Sequence, residues 1–320
     1  MSKKGDECIM NQTRVQKIHT LRGHRDSVYT LANASEPSVF FSGAGDGMVV
    51  RWNLEEPDQG TVTAKVDASV YALRYNAHFN HLIVGQNYEG IHIIGLDDNK
   101  ALGSLKMTSE SIFDIQTYRD QIFVATADGM ITVLNYQKLS VVHRIKGAKE
   151  SARSLAINPE ANELIAGFSD NTIKIYDLVT YELKKTIEAH KNSVFTLQFT
   201  PDFRFLLSGS RDAHLKIWDA QKNYELHQSI VAHMYAINHI DFRADGRYFA
   251  TCSMDKSVKI WDAERFQLLK VIDKARHAGH GTSVNRLLWL NYVQDSWNQP
   301  IISASDDRTL SVWDVHWDNN

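Results

Sequence analysis

Four histidines stand at fixed distances from a hydroxyl, a carboxylate and an indole. His24, His190 and His233 precede Asp46, Asp212 and Asp255 by 22 residues; each Asp follows Ser42, Ser208 or Thr251 by four and precedes Trp52, Trp218 or Trp261 by six. His280, Ser303, Asp307 and Trp313 repeat the order after a longer connection around Asn291 to Pro300. Ser, His and Asp together could make a nucleophile, with imidazole taking the hydroxyl proton and the carboxylate orienting the ring. That chemistry needs a hydroxyl that substrate can reach, and one also held by an indole N–H inside a sheet leaves nothing free. Where the indole closes the set in that way the four sets are structural, and no catalytic residue is expected. His277-Ala-Gly-His280 has a spacing open to metal ligation, but His280 is already taken and no Cys or third His accompanies it, so neither metal nor cofactor is expected.

The sequence carries its own test of this reading. Three further stretches lose the His and hydroxyl together: Val66 with Val84, Thr108 with Val124, and Ala148 with Ala166. A buried polar group left without its partner costs about 1–3 kcal/mol, whereas an apolar pair in the same space can be neutral, so touching positions change together. Asp128 and Asp170 persist in two of these stretches, as expected of a residue that also bonds its own turn.

The elements that hold these residues follow from a period. Trp52-Asn53, Ile94-Gly95, Leu134-Asn135, Tyr176-Asp177, Trp218-Asp219, Trp261-Asp262 and Trp313-Asp314 are separated by 42, 40, 42, 42, 43 and 52 residues. A repeat of this length with a Gly-His start and a Trp-Asp end predicts an all-β, seven-bladed propeller of four-stranded antiparallel blades. Within the fifth repeat, 193–199, 204–208 and 214–218 read as inner, second and third strands, and 224–230 as a more polar outer strand. Residues 15–21 match an outer strand but precede the first inner one, while the last repeat runs out after its third. The start of the chain is expected to complete the last blade, which removes two free edges. One domain over 15–320 follows, with 1–14 as a flexible tail; Met10 is open to reading as an alternative start.

These motifs resemble the WD40-repeat family over nearly the whole chain. In that family the His, Ser or Thr, Asp and Trp relay is buried within each blade. The resemblance further implies that the residue after the first apolar residue of each inner strand faces one mouth of the central channel: Tyr29, Tyr71, Phe113, Arg153, Phe195, Asn238 and Asn285. The residue before each turn Asp should join it, giving Gly45, Asn87, Ala127, Ser169, Arg211, Met254 and Asp306. Tyr, Phe and Arg dominate binding energy at protein interfaces, so Tyr29, Tyr71, Phe113, Arg153, Phe195, Arg211, Asn238, Asn285, Met254 and Asp306 are the expected partner-binding set. The competing role for the aromatics is to plug the channel. Tyr292 and Trp297, on the long connection of the last repeat, would lie at the opposite mouth, either as a second contact or with Trp297 folded back onto Trp317 or Trp289.

Composition narrows the classes. With 23% charged residues and a net charge of −3, nucleic acid and anionic membrane are not expected as partners. Two cysteines, Cys8 and Cys252, do not make a disulfide framework, and neither a secretory signal nor a long apolar run is seen, so a soluble cytoplasmic chain is expected. The resemblance implies a non-enzymatic scaffold for a protein or peptide. The alternative is an enzyme with a metal-assisted site in the channel, which would need several converging carboxylates where these columns supply Asp306 alone.

Overall fold

A computed structural model describes residues 13–294 and 297–317, with backbone alone over 293–294 and 297–298. The chain forms seven four-stranded antiparallel blades. Their inner strands are Val28–Asn33, Val70–Asn76, Ile112–Tyr118, Ala152–Asn158, Val194–Phe199, Ile237–Phe242 and Val284–Trp289. Each touches the next, and the seventh touches the first, so the inner strands ring a channel.

The ring closes as the sequence predicts. Arg14–Arg22 pairs with Thr309–His316 as the outer strand of blade 7, from Arg14 opposite His316 to Arg22 opposite Thr309. Leu21 of this strand enters a core cluster with Leu310, Val312 and Trp52. Ring closure therefore joins the first and last strands through both a ladder and a core. Residues 1–12 of the expected tail lie outside the described residues; Thr13 is buried and Arg14 is already in the strand.

Alternation along each strand puts one apolar row on each face of a blade, so the core lies between blades. Among the described residues there are seven such clusters, each shared by two neighbouring blades. In blade 5 the strands are Val194–Phe199, Phe205–Ser210, His214–Asp219 and Glu225–Val231. The second runs two residues beyond the sequence expectation, because Ser210 still pairs with Val194. Outer strands carry mostly exposed side chains, as in Ser140–Lys146. Among the described residues no helix is long and apolar enough to cross a membrane.

In the long connection of blade 7, Tyr292 is buried at 8% exposure and packs with Leu54 and Leu290, so of the two roles open to this loop it takes a place in the core and not that of an exposed contact. An aromatic on a long loop gains more from filling the gap between blades 7 and 1 than from facing water. The Trp297 side chain lies outside the described residues.

Candidate binding site at the channel mouth

The histidine sets come first because they fix the loops around the mouth. His24 Nε2 lies 2.7 Å from Ser42 Oγ, which accepts the Trp52 indole N–H at 2.8 Å, while Nδ1 faces Asp46 Oδ2 at 3.2 Å. The same distances are 2.7, 2.8 and 3.1 Å for His190, Ser208, Trp218 and Asp212. For His233, Thr251, Trp261 and Asp255 they are 2.8, 2.9 and 2.9 Å, and for His280, Ser303, Trp313 and Asp307 they are 2.8, 2.8 and 2.9 Å. With the hydroxyl accepting from the indole, it is assigned as donor to Nε2, and Nδ1–H then donates to the carboxylate. No hydroxyl proton or imidazole nitrogen is left for a substrate.

Charge follows from the same contacts. Burial pushes His24, His190 and His233 below the ordinary imidazole value against the pull of their Asp partners, so all three favour the neutral ring. Burial would raise Asp212, Asp255 and Asp307, yet the His hydrogen bond leads the groups that leave each well below the usual carboxylate range. Each Asp also ties two loops together. Asp212 accepts Lys191 N at 2.8 Å from the loop entering the inner strand, and His214 N at 3.0 Å from its own turn. Of those two backbone bonds Asp128 and Asp170 keep the one within the turn, to Met130 N and Thr172 N, and each also accepts a Thr hydroxyl, from Thr126 and Thr172.

Above these loops the seven-membered column forms the mouth, through a device the sequence did not show. Every inner strand is irregular at that position: the ladder steps from Val28 opposite Ala44 to Thr30 opposite Gly43, leaving Tyr29 without a partner. The same break occurs at Tyr71, Phe113, Arg153, Phe195, Asn238 and Asn285. A β-bulge of this kind re-aims one side chain, here into the channel. All seven line one cavity of about 650 Å³, within the range of ligand sites.

Side by side they form an arc. Tyr29 and Tyr71 meet edge to face at 4.6 Å, Tyr71 and Phe113 are parallel at 6.1 Å, and the Arg153 guanidinium lies 4.1 Å from the Phe113 ring centre and 4.8 Å from that of Phe195. Burial, with Arg211 nearby, pulls Arg153 below the usual guanidinium value. Asn238 and Asn285 complete the circle differently. Asn238 Nδ2 donates to Val284 O at 2.8 Å, and Asn285 Nδ2 to Val28 O at 3.0 Å and Asp306 Oδ1 at 2.7 Å. Their amide nitrogens thus bridge to the next blade. In the second ring Arg211 and Met254 are exposed, whereas Asn87 is buried and accepts Ile112 N at 2.8 Å, and a side chain at Gly45 would meet Asp26.

Sequence reasoning missed two groups. On the mouth face Tyr88, Met234 and Tyr235 are 62%, 81% and 60% exposed. Met234-Tyr235 follows His233 where polar or small residues follow the other three histidines (Arg25-Asp26, Lys191-Asn192 and Gly281-Thr282), and that contrast was available. Deeper in the channel lie Arg74, Asp114, His239, Asp241 and Arg286. Asp114 Oδ2 accepts Leu155 N at 2.8 Å and Asp241 Oδ2 accepts Trp289 N at 2.6 Å, so these carboxylates satisfy free edges of neighbouring inner strands. Burial outweighs those bonds and raises both carboxyls, Asp241 to about 7. The signal was present in polar residues on inner strands, one and three positions beyond the mouth column.

The repeat, the buried sets and the ring define a class. The family model WD domain, G-beta repeat matches residues 15–53, 139–177, 181–219, 224–262 and 273–314, more than half of the chain, and the chain belongs to this WD40 family. The unmatched stretch 54–138 holds the blades ending in Ile94-Gly95 and Leu134-Asn135. The crystal structure of the WD40 beta propeller domain of Doa1 is similar with a TM-score of 0.81, covering 94% of this chain and 97% of that one at 20% identity, a likeness of fold. No curated protein sequence matches this chain.

Proposed function

We propose that this chain is a non-enzymatic cytoplasmic scaffold, a single propeller over residues 15–320 whose buried His sets stiffen the loops around a mouth that holds a protein or peptide segment. The observation that carries the reading is the arc of Tyr29, Tyr71, Phe113, Arg153 and Phe195, bulged into one opening. Exposed Tyr88, Met234, Tyr235 and Met254 around it add apolar contact area, the combination of aromatic, Met and Arg that protein interfaces favour. Asn238, Asn285 and Asp306 serve chiefly to join blades 6, 7 and 1 beneath that surface.

A channel enzyme is the weaker reading. The two channel carboxylates are each engaged by a backbone N–H and face Arg286, and among the described residues no group of three His, Cys, Asp or Glu could hold a metal ion. Affinity capture from native cells, comparing wild type with Tyr71→Ala combined with Arg153→Glu, tests the scaffold. Loss of partners is expected with the double variant; equal recovery by both forms overturns the mouth as the site.

A further inference from the structure

What the bound segment must bring is written in the state of Arg153. Three other arginines here have their forks closed, Asp245 on Arg243, Asp273 on Arg276 and Glu36 on Arg51; Arg74, deeper in the channel, has a buried Nε without an acceptor but faces the carboxyl of Asp114. Arg153 is held between two rings instead, its Nε–H is buried, and among the described residues it has no acceptor. Its charged neighbour is another cation, Arg211, which is itself exposed and without an ion pair. A guanidinium does not shed its proton, so a partly buried one beside a like charge stays uncompensated until an anion arrives.

Charge around the mouth leans basic at blades 4 and 5, where Lys149, Arg153, Lys191 and Arg211 outnumber Glu150, and is mixed where blades 1 and 7 meet, with Arg25, Asp26 and Asp306. Asp306 is already bonded to Asn285, but the basic sector has no such partner at Arg153 or Arg211. The two Phe rings flank the guanidinium and lower the entropy of fixing it, which favours a two-point contact with an oxyanion.

We infer that the segment held at the mouth presents an oxyanion, a side-chain carboxylate or a phosphorylated hydroxyl, to the Arg153 fork, with Arg211 as second cation. The residues flanking that anion pack on Tyr71 and Tyr29 on one side and on the exposed Met254, Met234 and Tyr235 of blade 6 on the other. This inference rests on the mouth being the binding surface.

Short random peptides displayed on phage and selected on the full chain supply the probe. Enrichment of Asp or Glu at one position is expected, lost on Arg153→Met and kept in part on Arg153→Lys, with unchanged melting of both variants. The selected peptide is then synthesised with Glu, phosphoserine or Gln at that position. Gln is expected to weaken binding by at least about tenfold, the scale of a charge-assisted bond. Tighter binding of phosphoserine than Glu assigns the phosphate source, and the reverse assigns the carboxylate. Equal binding of all three, or peptides with no acidic preference that Tyr71→Ala still weakens, overturns the anion while leaving the mouth in place. Peptides insensitive to both Arg153→Met and Tyr71→Ala overturn the mouth as well.

Discussion

Blades 1, 5, 6 and 7 and blades 2, 3 and 4 fill the same interior volume with opposite chemistry. The first group closes a hydroxyl between imidazole and indole, every bond under 3 Å. The second puts Val84, Val124 and Ala166 at the hydroxyl position, all fully buried, with Ile94, Leu134 and Tyr176 where the indoles stand. Val66 packs into the same cluster as Val84, and Ala148 into that of Ala166. Both solutions keep the strands in register. What the contrast teaches is that the fold needs the space filled and the polar groups satisfied, and is indifferent to which chemistry does so, provided no half-made set is left.

That contrast can be broken most sharply with one atom. Ser208→Ala removes the oxygen that both His190 and Trp218 use and leaves two buried nitrogens unpaired, so a loss of about 2–4 kcal/mol is expected by urea unfolding. The reciprocal Ala166→Ser adds a hydroxyl that has no such partners and should cost about 1–2 kcal/mol. A neutral outcome for either would show that the two blade types are not distinct. His190→Ala comes next at about 1–3 kcal/mol, read as a shift in denaturant midpoint; an unchanged midpoint would mean the ring adds nothing to the blade.

Acid sharpens the comparison between blade and channel. His24, His190 and His233 sit below 6.5 and Asp212, Asp255 and Asp307 below 3.8. As pH falls the unfolded chain therefore takes up protons first, and stability drops from near pH 6.5 and again from about pH 4. Asp241 in the channel has the opposite sign: raised to about 7, it binds its proton first in the folded chain, so acidification from pH 7 toward 4 favours folding through it. Asp241→Asn removes that offset. Urea midpoints across this range should then fall more steeply than in wild type, and parallel curves would contradict the sign.

The relay shows how far a sequence can be read. Spacings of 22, four and six residues, and the joint loss of two columns, were enough to place His190 against Ser208 because the loop entering the inner strand and the second strand belong to one repeat. The mouth column was legible only through the family resemblance, and its cause, a bulge at each inner strand, leaves no residue type behind: Tyr, Phe, Arg and Asn all occupy it. Tyr292 could not be placed because loop length says nothing about what the loop packs against.

Alternation and period are properties of neighbours in the chain, so the amino acids alone determined the number of blades, their strand order and the closing of the last by residues 15–21, one residue short at each end of the strand that forms. Contacts between blades belong to the closed ring. Asn285 meets Val28 across 257 residues and Asp114 meets Leu155 across 41, and in each pair a side chain satisfies a strand edge that only the neighbouring blade exposes. The same closure brings Arg153 between two phenylalanines with no anion at hand, a juxtaposition that depends on where three blades converge and on no spacing within any one of them.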